Sequence, residues 1–259
     1  KNIQYVLGLG DITDTFQSSG EYYDEEWVIA KESLAILENA NIPYSLVRGN
    51  HDITSGMNAT FGKGSAYYSS IMTLASTLDA EGRAMGGFYE EYTDDTKTAY
   101  KVETSYRKIT AGDDKWLIVT LDWAPDEGAL TWLAGILEAH PDYRAIITIH
   151  QFLQKDGAII DDPEATFPHE QIGDAKWGEA ASGGTVHPRT LWNQVLSKYA
   201  NVEMILSGHV PVDDIVTTQM RGDNGNTVTC MLVDPQEMDE VLSAPLGMIA
   251  MFYFSADGN

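Results

Sequence analysis

The sequence predicts an α/β fold in which two sheets pack between helices. The first observation is that short apolar strands alternate with amphipathic helices over most of the 259 residues. The second is a content of 43% hydrophobic residues, enough to form one substantial core. A core of this size suits one domain over residues 1–259, and we expect one mixed and one largely antiparallel sheet. No apolar run approaches the roughly 20 residues of a membrane span.

The first half of the chain contains two predicted strands around a helix, followed by a long irregular region. Residues 3–9 form a continuous apolar strand, and residues 25–40 carry apolar side chains on one helical face. Residues 44–47 begin a second strand. Residues 53–98 are rich in Gly, Ser, Thr and Asp, so we expect an inserted excursion that determines substrate specificity.

The second half of the chain repeats the strand and helix patterns and ends in a hairpin. Asp223-Asn224-Gly225 lies between two alternating apolar segments, which is a strong hairpin signal. The predicted strands are residues 99–110, 116–121, 145–149, 202–206, 214–220, 226–233 and 247–254, and the predicted helices cover residues 130–137 and 189–199.

The composition excludes some partners and some metal ligands. Lys and Arg total 16 against 39 Asp and Glu, a formal net charge of −23, which would repel a nucleic-acid backbone. The single cysteine, Cys230, lies in an apolar run, so we interpret it as a buried and unreactive thiol. Any metal ion must therefore be held by oxygen and imidazole ligands.

Polar loops with potential metal ligands follow four of the predicted strands. Taken alone, an Asp after a strand is more often a turn or capping residue, and a lone His is more often a core residue. Loops at the carboxyl ends of strands in an α/β sheet nevertheless converge on one edge, which favours a shared site. The four loops are Gly10-Asp11-Ile12-Thr13-Asp14, Gly49-Asn50-His51-Asp52, Ile149-His150-Gln151 and Ser207-Gly208-His209.

In this order the loops resemble the motifs of the calcineurin-like metallophosphoesterases, G-D-x-x-D, G-N-H-D/E, a lone H and G-H-x-H. The resemblance implies a four-layer α/β/β/α sandwich with two mixed sheets. It also implies that Asp11 bridges two metal ions and that Asn50, His150 and His209 complete the ligands of the second ion.

The same resemblance implies a catalytic role for His51, as the general acid that protonates the leaving alkoxide, with Asp14 orienting its ring. The expected reaction is hydrolysis of a phosphomonoester or phosphodiester by metal-bound hydroxide, on a small phosphorylated substrate. Oxygen and imidazole ligands suit Mn, Fe or Zn, with two ions in a complete site. Likeness to a secreted bacterial branch, together with the acidity, implies an extracellular or cell-surface location.

Two departures from the family pattern leave alternatives open. The D-x-H motif and its strand are absent from this sequence, which we interpret as the N-terminally incomplete part of a longer protein. Pro211, which has no side-chain donor, stands where the last His of G-H-x-H is expected. A phosphoesterase-like binding module on the bacterial surface is one alternative, and an enzyme with a single metal ion is another.

Other polar residues are less informative. His140, His169 and His187 lie in polar or Pro-flanked loops, so we expect them to be exposed surface residues. Asp122 and Trp123 follow a predicted strand, where they either line the substrate cleft or form a structural turn.

Overall fold

The computed structural model confirms the α/β class. It describes residues 3–14, 23–52, 54–75, 86–94, 97–111, 114–123, 125–161, 186–235 and 249–254. The strands are β1 (Val6–Gly8), β2 (Tyr44–Leu46), β3 (Gly86–Asp94), β4 (Lys97–Ala111), β5 (Asp114–Thr120), β6 (Arg144–Thr148), β7 (Val202–Ser207), β8 (Val216–Arg221) and β9 (Thr227–Leu232). The helices are α1 (Tyr23–Asn39), α2 (Thr54–Phe61), α3 (Ala66–Ala75), α4 (Glu127–Ala139) and α5 (Pro188–Gln194), and a 3₁₀ turn at Leu196–Lys198 follows α5.

The large sheet is mixed and has seven strands in the order β3-β4-β5-β6-β7-β9-β8. β5, β6, β7 and β9 pair in parallel, while β3 and β4 at one edge and β8 at the other pair antiparallel. The hairpin predicted at Asp223-Asn224-Gly225 is the β8–β9 turn, where Gly225 has φ +81°, a conformation that glycine adopts without strain. The parallel strands therefore end at one edge, where His150 and His209 follow.

The second sheet differs from the prediction. Among the described residues it contains only β1 and β2, which pair in parallel from Val6 with Tyr44 to Gly8 with Leu46. It is neither largely antiparallel nor mixed, because α1 carries the chain back across the sheet and so makes the second strand run parallel to the first. The four-layer order stays a prediction.

The core of the large sheet follows from the two-residue alternation of β5. Leu117 and Val119 belong to the apolar cluster that also contains the buried face of α4. Trp116 and Ile118 point the other way and pack with Tyr5, Leu7 and Leu9 from around β1. Because each fully buried large apolar side chain contributes about 1.5–3 kcal/mol, this contact is a main source of cohesion between the two sheets.

The region 53–98 is more regular than its composition indicates. It contains α2, α3 and β3, and the two helices bury Met57, Phe61, Tyr67 and Ile71 in a second apolar cluster with α1 and β2. These apolar residues recur at helical spacing between polar ones, which is why a composition average misses them. The role of this region in specificity stays a prediction.

Two sequence predictions are wrong. Residues 249–254 form no strand, and Ile249, Met251 and Tyr253 are exposed, while the ring of Phe254 lies 4.7 Å from that of Trp116. An apolar run without alternation does not specify a strand unless a partner strand is available. His140 is buried rather than exposed, because its Nδ1 lies 2.8 Å from the Ile136 carbonyl oxygen at the end of α4.

Cys230 is buried in β9, as predicted, and burial raises the pKa of its thiol to about 12. Among the residues that the structure describes, no helix is both long and apolar enough to cross a membrane.

Candidate metal centre

The four predicted ligands meet at one point, around Nε2 of His150. This nitrogen lies 2.9 Å from Asn50 Oδ1, 3.1 Å from His209 Nδ1 and 3.3 Å from Asp11 Oδ2. The ligand atoms of Asp11, His150 and His209 all lie within 4.8 Å of one another. Residues that are up to 198 positions apart in the chain therefore share a single polar site, at the ends of β1, β2, β6 and β7.

The hydrogen-bonding pattern of this site calls for a positive charge. His150 Nδ1 lies 2.7 Å from the Leu9 carbonyl oxygen and so donates its proton there. In the neutral imidazole this leaves a lone pair on Nε2, which faces the acceptor oxygens of Asn50 and Asp11. Acceptors that face one another need a proton or a cation between them. The site therefore fits a divalent ion that prefers oxygen and imidazole ligands.

The pKa values of Asp11, His150 and His209 are shifted by burial and by the close contacts among these three side chains. Burial raises the pKa of Asp11, but the hydrogen bond and the charge of His150 outweigh burial and lower it overall. Burial lowers the pKa of His150, and the hydrogen bond with Asp11 outweighs that and raises it overall. Burial, with the charge of His150 beside it, lowers the pKa of His209 to about 4. His209 therefore stays neutral, the form that binds a metal ion.

The backbone around the ligands is strained. Asp11 has φ 50° and His209 has φ 69°, left-handed values that are uncommon for residues other than glycine. Such strain clusters at functional sites, where the surrounding structure maintains it. Gly10, at φ 99°, leaves room for the imidazole, since a Cβ there would lie 2.4 Å from His150 Nδ1.

Asp52 is a site residue that the sequence analysis missed. Its buried carboxylate accepts hydrogen bonds from the backbone N–H groups of Gly49 at 2.8 Å, Thr13 at 2.9 Å and Ile12 at 3.0 Å. It therefore ties the loop after β1 to the loop after β2. The available signal was its place directly after Asn50-His51, in a motif whose last position is an acid.

His51 lies beside the predicted ligands rather than among them. Its backbone N–H donates to Asp11 Oδ1 at 3.0 Å, and its Nδ1 lies 2.6 Å from the backbone carbonyl oxygen of Asp14. Asp14 thus contacts the ring through its main chain and not through its carboxylate, and the residue is exposed. Its orienting role stays a prediction.

The other polar residues of the sequence analysis lie apart from this site or help to build it. Asp122 and Trp123 are 4% and 1% exposed, so they form a buried structural turn and do not line a cleft. His187 is half-buried rather than exposed as predicted, because it caps α5, where its Nδ1 accepts from the Arg189 N–H. His169 lies outside the described residues. Within the described ranges, the cluster of Asp11, His150 and His209 is the one group of His, Cys, Asp or Glu that is close enough to hold an ion.

Together, the fold and this cluster define an α/β protein with a candidate metal site at the carboxyl ends of its strands. The model of the calcineurin-like phosphoesterase family matches residues 1–213, a span that contains all four predicted ligands. The chain therefore belongs to the calcineurin-like phosphoesterase family.

Two further proteins are similar to the chain. The uncharacterized protein YvnB of Bacillus subtilis strain 168 is 25% identical over 210 residues, which is 80% of this chain and 12% of that protein. The chain thus spans about one eighth of the length of this relative. A crystal structure of a dimetal phosphatase from Danio rerio is 15% identical, with a TM-score of 0.45, and the match covers 89% of this chain and 72% of that one.

Proposed function

We propose that this chain hydrolyses phosphomonoesters or phosphodiesters of small molecules, with a divalent cation held by Asp11, Asn50, His150 and His209. The observation that supports the proposal is the convergence of these ligands on His150 Nε2 in a member of the calcineurin-like phosphoesterase family. The family membership supports the reaction class, and the ligand cluster supports the use of metal.

The protein's own residues have distinct parts in this reaction. A divalent ion at the site would polarise a phosphoryl oxygen and would lower the pKa of a bound water to about 7, so that hydroxide is available near neutral pH. Asp11 and Asn50 would hold the ion from the β1–β2 side, and His150 and His209 would hold it from the large sheet. His51 gives a proton from Nε2 to the leaving alkoxide, while the Asp14 carbonyl oxygen fixes its ring.

The number of ions is a separate part of the proposal. Pro211 offers no side-chain donor two residues after His209, and the described residues contain one ligand cluster. These observations favour one ion in this chain, whereas ligands outside it would complete a second site. Elemental analysis of purified protein distinguishes one ion per chain from two.

The central experiment is hydrolysis of p-nitrophenyl phosphate and bis(p-nitrophenyl) phosphate by the purified chain with Mn²⁺, Zn²⁺ or Fe²⁺. We expect turnover that a chelator abolishes and that Asp11→Asn lowers at least about 100-fold, as for loss of a group that acts on the transition state. Asp223→Asn is the matched control, because this exposed carboxylate pairs with Lys198 at a distant turn. Bound metal without turnover of either substrate would favour the binding-module alternative.

His51 has its own test, because a general acid matters most for a poor leaving group. His51→Gln should lower hydrolysis of an alkyl phosphate by about 100-fold or more. It should affect p-nitrophenyl phosphate much less, since p-nitrophenolate leaves without a proton. Equal losses on both substrates would contradict a proton-donor role.

Substrate and location belong to the same proposal. A net charge of −23 disfavours nucleic acids and other polyanions, which supports a small phosphorylated substrate. We also propose that residues 53–98 contribute to substrate choice and that the protein works outside the cell or at a bacterial cell surface. Fractionation of the source cells with an antibody would contradict the location if all of the protein were cytoplasmic.

A further inference from the structure

The metal centre is divided between two separate sheets. Asp11 and Asn50 follow strands of the small β1–β2 sheet, while His150 and His209 follow strands of the large sheet. The ladder hydrogen bonds of each sheet fix the ligands of that sheet relative to each other. Contacts between the sheets must therefore set the distance between the two halves of the site.

A buried ion pair makes such a contact beside the site. Arg48 lies two residues before Asn50, and its guanidinium binds the Asp122 carboxylate with both arms, Nε to Oδ1 at 2.7 Å and Nη2 to Oδ2 at 2.5 Å. The side chains of Arg48 and Asp122 are 18% and 6% exposed. Since Asp122 lies two residues beyond the end of β5, the pair joins the small sheet to the large one.

The Asp122 end of this pair is itself fixed in place. Its Oδ1 accepts from the Trp123 N–H at 2.8 Å, and its own N–H donates to Oγ1 of Thr104, a buried residue of β4. The carboxylate therefore has a defined position in the large sheet. Because the planar guanidinium of Arg48 binds this carboxylate through two parallel hydrogen bonds, the carboxylate fixes both the position and the orientation of the guanidinium.

The surroundings keep Arg48 charged. Burial lowers its pKa, but the negative charges of Asp122, Glu103 and Asp52 outweigh burial and raise it overall. Asp52 is the carboxylate that ties the β1 and β2 loops together, whereas Glu103 belongs to β4 and Asp122 follows β5.

We propose that Arg48 and Asp122 are a positioning pair that holds Asn50 and Asp11 at the correct distance from His150 and His209. In this role the pair acts through the chain segment that leads from Arg48 to Asn50, and neither residue is itself a ligand of the ion. This inference deepens the proposed function and rests on its metal-binding part alone. The alternative is a structural ion pair without influence on the site, as buried pairs often contribute little to stability.

The test uses Co²⁺ as the probe, because its visible absorption reports both affinity and the geometry of its ligands. Arg48→Lys keeps the charge but loses the two-armed contact, and Asp122→Asn keeps the shape but loses the charge. We expect each to weaken Co²⁺ binding about 10- to 100-fold and to shift the Co²⁺ spectrum, as changes behind metal ligands do. Titrations run well below the melting temperature separate this effect from unfolding.

The chain offers a matched control in Arg144 and Glu203. Arg144 binds Glu203 through Nε at 2.7 Å and Nη2 at 2.6 Å, at the opposite ends of β6 and β7 from the ligands and within one sheet. Arg144→Lys and Glu203→Gln should leave the affinity and spectrum of Co²⁺ unchanged, whatever they do to the melting temperature.

The outcomes decide between the two readings of the pair. Unchanged affinity and spectrum in folded Arg48→Lys protein overturn the inference, and so does equal weakening in the control variants. If Asp122→Asn does not fold, Arg48→Lys alone decides. Wild-type protein that binds Co²⁺ but hydrolyses no phosphoester contradicts the proposed function and leaves the inference standing, whereas wild-type protein that binds no Co²⁺ overturns both.

Discussion

At the scale of single residues, the environment of His209 makes a specific prediction about its protonation. Burial and the neighbouring His150 lower the pKa of His209 to about 4, whereas an imidazole in the unfolded chain titrates near 6.5. Between these values the unfolded state binds the extra proton, so His209 contributes a loss of stability as the pH falls from about 6.5 to 4. We expect NMR of the metal-free protein to show the His209 ring titrating near pH 4.

The comparison that isolates this residue is the His209→Gln variant. It should unfold in urea with a weaker pH dependence between about 6.5 and 4 than the wild-type protein, because the depressed imidazole is gone. A titration midpoint at pH 6 or above would contradict the prediction.

Gly49 is the residue where the site has least room. A Cβ at this position would lie 2.1 Å from Asp11 Oδ1 and 2.3 Å from Asp11 N, so Gly49→Ala must displace either the ligand or its backbone. We expect a loss of about 1–3 kcal/mol in the free energy of unfolding, typical of overpacking, together with weaker metal binding. Urea unfolding and Co²⁺ titration of the variant measure the two effects. Wild-type metal affinity in Gly49→Ala would show that the Asp11 loop moves freely.

At the scale of elements, two substitutions in α4 should change the free energy of unfolding in opposite directions. The Asp126 side chain caps the helix by accepting from the Ala129 N–H at 2.7 Å, so Asp126→Ala should cost about 1 kcal/mol. Gly135 is exposed on the same helix, and a Cβ there meets nothing within 4 Å, so Gly135→Ala should add about 1 kcal/mol. Urea unfolding measures both, and a change of the same sign in the two variants would contradict this account.

The sequence predicts a helix or strand well where the pattern is local, and poorly where the element depends on a partner that is distant in the chain. The hairpin of β4 and β5 and the helix α4 were predicted because alternation and helical spacing are local signals. The second sheet was predicted as largely antiparallel, but within the described residues β1 and β2 pair in parallel, since the α1 crossover sets their direction. The strand predicted over residues 249–254 is absent because an apolar run does not specify its partner. The burial of His140 depends in part on a tertiary contact, since its ring lies tilted against that of Tyr106 in β4, with the ring centroids 5.6 Å apart.

The candidate site also divides into parts that the sequence predicts and parts that depend on long-range contacts. The convergence of Asp11, Asn50, His150 and His209 could be predicted because polar residues at strand ends in an α/β fold meet at one edge by topology. Their role as metal ligands stays a prediction. The parts that were missed act over long range: Asp52 binds backbone groups about 40 residues away, and Arg48 binds a carboxylate 74 residues away. The His51 ring is held by the main chain of Asp14, and no side-chain pattern reports a backbone contact.

At the scale of the whole molecule, the candidate metal centre joins the two sheets, since Asp11 and Asn50 come from one and His150 and His209 from the other. An ion bound by both halves stabilises only the state in which the sheets are packed together. The strong net negative charge of −23 adds a second reason for a cation to stabilise the fold, because a compact acidic chain repels itself. The two effects differ in where the cation binds.

A thermal-shift experiment with Mn²⁺ separates them. At 100 times the dissociation constant, a single ion that binds only the folded state adds about 2.7 kcal/mol, which corresponds to roughly 5–10 °C for a chain of this size. A chelator should reverse the shift. His209→Ala removes one ligand without changing the acidic surface, so it should lose most of the shift at the same Mn²⁺ concentration. If the variant were stabilised as much as the wild-type protein, the cation would be acting on the surface charge, and the cluster around His150 would not be the ion's site.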